Sequence, residues 1–122
     1  MNNKQHPTYI LRFFFDYGCG GCLWAGNDAA YEKFDVGTLD AETHDFEGNV
    51  TEEASIQLPG SIKQKVLYLD KLYCESLNWD DPGGPSLWNQ QQWNDFYKMT
   101  KELHEEIAAH LGNDFEIIYN QE

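Results

Sequence analysis

One helix has both of its ends marked in this sequence. Asn89 offers a side-chain oxygen to a helix start, Gln92 stands three residues on as the reciprocal partner, and Trp88 and Trp93 occupy the places of a hydrophobic staple. From there Trp93, Phe96 or Tyr97, Leu103, Ile107 and Leu111 recur at helical spacing, and Gly112 is the expected stop. A helix with one apolar stripe must bury it against something. A second stripe lies in SIKQKVLYLDKLYCESL, residues 61 to 77, where Ile62, Val66, Leu69 and Tyr73 follow at spacings of four, three and four and Ser61 offers a cap. Two apolar, β-prone runs frame these helices. TYILRFFF at residues 8 to 15 reads as a central strand covered on both faces, and DFEIIYN after Gly112 reads as a last strand. The expected class is α+β: a small sheet that includes the N- and C-terminal strands, adjacent to one another, packed against two long amphipathic helices.

The remaining segments are shorter. Tyr17 to Cys22 turns on Gly18, Gly20 and Gly21. Asn27 is placed to cap a short helix, NDAAYEKF, with Ala29, Ala30 and Phe34 facing inward. Residues 40 to 57 read as an acidic insertion, a loop or a hairpin around the EGNV turn, closed by Pro59 and Gly60. NWDDPGGPSLW, with two prolines and two glycines, is an irregular loop. A chain of 122 residues fits one domain, 1–122.

Charge narrows the partners. Eight basic against 21 acidic side chains give a formal net charge of −13, which repels nucleic-acid phosphates and anionic membranes and attracts basic macromolecules. An aromatic content of 15% is more than a solvated chain keeps, so a packed core is expected despite the charge. No apolar run reaches the roughly 18 residues that span a bilayer. MNNKQHPTYI has no apolar core leading to a small-residue cleavage site, and three cysteines are an odd number for a disulfide framework. These features point to the cytoplasm.

Two constellations raise chemical questions. In FFFDYGCGGCLW, Cys19 and Cys22 have C-x-x-C spacing after an apolar strand, the context in which a helix N-terminus makes a dithiol nucleophilic. A thioredoxin would continue into a long helix, whereas AGND interrupts this one, and Pro59 is a weak stand-in for the proline such sites use. Zinc needs four ligands, and beyond this pair the chain offers Cys74 and scattered histidines with no second ligand pair. Tight turning on small residues, with Cys74 buried on its helix, accounts for the same pattern. HEEIAAH, residues 104 to 110, is not a zinc-protease motif. The position four after His104 is Ala108, and His110 points about 120° away around the helix. Both histidines are expected on the polar face, beside Glu102, Glu105 and Glu106, and His6 and His44 in flexible segments. The nucleophile elbow, phosphate loop and calcium loop are all missing, and a carboxylate pair such as Asp16 with Asp28 is no more than 21 acids produce by chance. No catalysis and no cofactor are expected.

What remains is surface. From Asp28 to Glu53 nine acids face the single base Lys33. Asp28, Glu32, Asp35, Asp40, Glu42, Asp45 and Glu47, with Trp79, Asp80 and Asp81 on the Pro/Gly loop, are the candidate partner-binding residues: acids for long-range attraction, an aromatic for anchoring. The phrases FFFDYG…CLWAGNDAA and SLNWDDP…W, set before a C-terminal helix in a small acidic chain, resemble small bacterial proteins of the type of immunity proteins encoded beside contact-dependent or other polymorphic toxins. That likeness extends over most of the chain except 40 to 57. It implies a non-enzymatic inhibitor that docks on a toxin domain, often a basic nuclease, and blocks its active site. The alternatives are a dithiol redox or metal-binding protein using Cys19, Cys22 and Cys74, and an adaptor domain with no toxin.

Overall fold

The computed structural model describes residues 7–17, 20–34 and 37–121. His6, Gly18, Cys19 and Asp35, singled out above, lie outside the described residues. In chain order the elements are β1 (Tyr9–Phe13), β2 (Leu23–Ala25), α1 (Asp28–Phe34), β3 (Thr43–His44), β4 (Val50–Glu52), α2 (Gly60–Glu75), α3 (Gln90–Leu111) and β5 (Phe115–Tyr119). The fold is α+β. The terminal strands are neighbours: β1 is central, parallel to β5 with Leu11 opposite Ile117, and antiparallel to β2 with Leu11 opposite Ala25.

One face of this sheet is core. Leu11, Phe13, Leu23, Ala25 and Ile117 are buried there with Val66 and Leu69 of α2 and Phe96, Leu103 and Ile107 of α3. The alternation along β1, with Arg12 exposed between two buried neighbours, corrects the expectation of a strand covered on both faces. The other face is sheltered by its own side chains instead: Phe14 stacks on Trp24 at 4.7 Å and the Arg12 guanidinium lies over Phe14 at 5.2 Å. Phe13, Phe14 and Phe15 in a row therefore come from the last residue of β1 and the two that follow it, a run that a doubly buried strand also produces.

The helix signals act as read, with one exception. Asn89 accepts from the Gln92 amide, Gln92 Oε1 accepts from the Asn89 amide, Trp88 and Trp93 meet at 4.7 Å, and Gly112 closes α3 at φ 83°. Asn27 Oδ1 caps α1 through the Ala30 amide at 2.9 Å. Ser61 is not a cap: α2 starts one residue earlier, after Pro59, with no side-chain cap. His104 also differs from its expected place on a solvated face. It is half-buried, and its Nε2–H donates to the Ile117 carbonyl at 2.6 Å while its ring stands edge-on to Phe13 and Tyr119. Nearby, the Thr100 hydroxyl donates to the Tyr97 carbonyl, so Tyr119 Oη donates to Thr100 Oγ1 at 2.7 Å. Two polar links thus fasten α3 to β5.

Within residues 40 to 57 lies the hairpin β3–β4. Its base is tied to the sheet by a short segment, Thr38 to Asp40. Thr38 bridges Trp24, the Leu39 amide donates to Leu23 and the Leu39 carbonyl accepts from Ile56. Gly21 allows this junction to close: a Cβ there would lie 2.4 Å from Asp40 Oδ1 and 2.8 Å from Thr38 Cγ2. Gly21→Ala is therefore expected to lower stability by about 2 kcal/mol through overpacking. Urea denaturation measures this, and an unchanged midpoint would contradict the close packing.

Candidate partner-binding surface

The predicted acids separate into three groups. Asp40 does not belong to the surface: it is 1% exposed, and its Oδ1 accepts from the amides of Cys22 and Leu23, each at 3.0 Å. This corrects its expected role as a partner contact, because a side chain closed off by Gly21, Cys22 and Thr38 cannot reach a docking protein. Burial raises the Asp40 pKa above its ordinary 3.8, against the opposing pull of the Leu23 and Cys22 amides and the Lys63 charge. Lys63, from the first turn of α2, donates to the Asp40 carbonyl.

Asp45 is exposed but structural. Its Oδ1 accepts from the amides of Glu47 and Asn49, both at 2.9 Å, which closes the hairpin turn, and the bond from Asn49 is the main reason its pKa falls below the ordinary value. Gly48, at φ 86°, completes the turn where a side chain would be strained.

The remaining acids are presented to solvent. Asp28 and Glu32 are exposed on α1, Glu47 lies at the hairpin tip, and Asp80 and Asp81 follow Trp79. Glu42 and Glu53 line a cleft of about 220 Å³ beside the hairpin with Val50, Ile56 and Lys63. Phe46, between Asp45 and Glu47, is fully exposed. Sequence reasoning passed over it, although a single aromatic flanked by acids immediately before a Gly-Asn turn is the pattern of an exposed hairpin tip.

These residues do not form one continuous patch. α1 packs at the start of β1, with Asn27 Nδ2 donating to the Thr8 carbonyl and Phe34 edge-on to Tyr9. Trp79 stands past the other end of β1, edge-on to Tyr17 at 5.9 Å. The hairpin is joined to the first turn of α2, whereas Trp79 follows its last. Those two sites are separated by the length of α2, 16 residues or about 24 Å. A standard protein interface covers about 800 Å² a side, wide enough to touch both.

Cys22 lies in a different setting from the one the motif's spacing suggested. Residues after Cys22 form β2, and α1 does not begin until Asp28, so Cys22 is not at a helix N-terminus. Its sulfur is buried, 3.6 Å from Asp40 Oδ2. Cys74 is half-buried in the last turn of α2, and among the described residues no three His, Cys, Asp or Glu side chains are grouped to hold a metal ion. Among them, too, no helix is long and apolar enough to cross a membrane.

Exposed acids, the hairpin and exposed aromatics that include Phe46 and Trp79 make up this surface. The family model for Serratia CdiI immunity protein-like proteins matches residues 10–122, almost the entire chain. The chain belongs to this family of contact-dependent inhibition immunity proteins. No curated protein matches it.

The raised Asp40 pKa has a measurable consequence. Between about 3.8 and its raised folded value the folded state binds more protons than the unfolded one, so stability falls as pH rises through that window. Below the window the carboxyl is neutral in both states and the penalty vanishes. Wild-type stability relative to Asp40→Asn is therefore expected to decline as pH rises from 3.8 and to level off above the folded value. Urea denaturation over a pH series measures the difference, and a gap that moves the opposite way would refute the assignment.

Proposed function

We propose that this chain neutralises a cognate bacterial toxin domain with a basic face by binding it and covering its active site, with no reaction of its own. Membership of the immunity family carries the reading. The charge distribution supports it. With 21 acids and eight bases, at least 13 carboxylates have no cation of their own to pair with one to one, so a strongly negative field reaches solvent. Carboxylates brought to the place where substrate phosphates would lie compete for the same basic groups, which suits a nuclease as the target.

The hairpin β3–β4 is the element best shaped to enter a cleft. It presents Phe46 at its tip, Glu47 beside it and Glu42 and Glu53 along its flank, while Asp45 holds the turn closed. α1, with Asp28 and Glu32, and the Trp79 loop, with Asp80 and Asp81, extend the surface. The toxin acts on cytoplasmic targets in this reading, and the immunity protein meets it there.

Steering and anchoring are separable by experiment. Replacing Glu42, Glu47 and Glu53 with glutamine leaves the Asp40 junction and the Asp45 turn intact. Association with the toxin domain encoded next to this gene is expected to slow by about 3- to 10-fold and to lose much of its salt dependence. Surface plasmon resonance at low and high salt reads both. Unchanged association would remove the hairpin acids from the interface, and failure of the wild-type chain to rescue toxin-expressing cells would refute the immunity role itself.

A further inference from the structure

Trp79 is 61% exposed, yet it is firmly held. Its indole N–H donates to the Cys74 carbonyl at 2.9 Å, and its ring rests edge-on to Tyr17, which in turn stacks on Tyr73 at 4.5 Å. The loop that carries it is fastened as well. The Asp81 amide donates to Asn78, the Gly84 amide to Asp81, and the Leu87 amide and Ser86 hydroxyl both donate to the Ser76 carbonyl. The Asp81 carboxylate folds back toward Gly84, where a Cβ would come within 2.4 Å of it. An aromatic ordered before binding loses little freedom when a partner arrives.

The chemistry left to that indole is restricted. Its only hydrogen-bond donor is occupied by the Cys74 carbonyl, so what it offers a partner is its π system and apolar surface. The indole borders an open hollow of about 440 Å³ whose lining includes Lys71, Glu75, Leu77, Asp80 and Leu87. Its lining is mostly apolar, and Glu75, Asp80 and Lys71 are its charged members. A purely apolar side chain would match the mostly apolar lining but would leave the carboxylates of Glu75 and Asp80 without a donor. A lysine would bring charge but no plane. A guanidinium satisfies both demands, because it stacks on an indole and its N–H groups reach carboxylates in a fixed fork.

We propose that the Trp79 hollow receives an arginine side chain of the partner, stacked on the indole and hydrogen-bonded to Glu75 or Asp80. The proposal rests on the reading that the partner is a basic toxin domain, and it names the group on that domain that this end of the surface takes. Acids elsewhere speed the encounter, whereas the arginine on Trp79 slows departure.

The test has two arms. In the first, full-length Trp79→Leu and Trp79→Phe are compared with wild type for binding to the toxin domain, with thermal denaturation to confirm that both variants fold. Trp79→Leu keeps apolar area but has no π face, and a loss of affinity of about 30-fold or more, mostly in dissociation, is expected, with a smaller loss for Trp79→Phe. In the second, the ¹⁵N-labelled chain is titrated with N-acetyl-arginine amide and with N-acetyl-lysine amide. The Trp79 indole resonance, identified by its absence from Trp79→Phe, should move more with the arginine compound. Toxin binding that Trp79→Leu leaves unchanged overturns the proposal and leaves the immunity role standing. Absence of toxin binding by wild type, with an arginine-selective shift at Trp79, overturns the toxin reading and supports the arginine site. An indole resonance indifferent to arginine overturns the site.

Discussion

A carboxylate taken out of water holds the acidic half of this protein to its sheet. Asp40 accepts the amides of Cys22 and Leu23, and the backbone around it joins β2 on one side, Ile56 on another and Lys63 of α2 on a third. Desolvation opposes such an arrangement, and the net effect is a carboxyl that resists ionisation. The arrangement persists because the two amides at the start of so short a strand also need acceptors, and removing the carboxylate would leave them buried without one. The hairpin, with its exposed Phe46 and glutamates, is carried on this junction. A docking element that must hold its shape on approach is thus tied to the interior through a polar group rather than an apolar one.

Much of the fold was legible because its signals are local. The Asn89 and Gln92 capping pair, the Trp88 and Trp93 staple and the Gly112 stop are all read within a few residues of where they act, and the stripe Ile62, Val66, Leu69 needs only the helical period. The terminal strands were legible by composition. β2 was not: Leu23–Ala25 is three residues, too short for an alternation to show, and it is a strand because β1 and Leu39 supply hydrogen bonds on its two edges. The same reasoning explains Asp40 and His104. Each looks like an ordinary polar surface residue along the chain, and each is drawn inward by groups 13 to 18 positions away.

The site was legible as a composition and only partly as a place. The acidity of residues 28 to 53 is plain in the sequence, but which carboxylates face outward depends on closure: Asp45 turns onto its own hairpin, Asp40 goes inside, and Glu42 and Glu47 remain available. Trp79 was legible as an aromatic on a Pro/Gly loop, whereas its bond to Cys74, which occupies its one donor, comes from the helix end behind it.

His104 has a consequence for how the molecule behaves at high concentration. β5 is the edge strand of the three-stranded sheet, and its bonds to β1 run through Asp114 and Asn120, which leaves the Phe115, Ile117 and Tyr119 backbone groups pointing away from the sheet. An apolar edge of this composition is a template on which another chain's strand can pair. The imidazole occupies the Ile117 carbonyl at the centre of that edge, so an incoming strand would find its middle acceptor already engaged and a ring in its path. A histidine that fastens a helix to a strand thus also engages the middle acceptor of an edge on which another strand could pair.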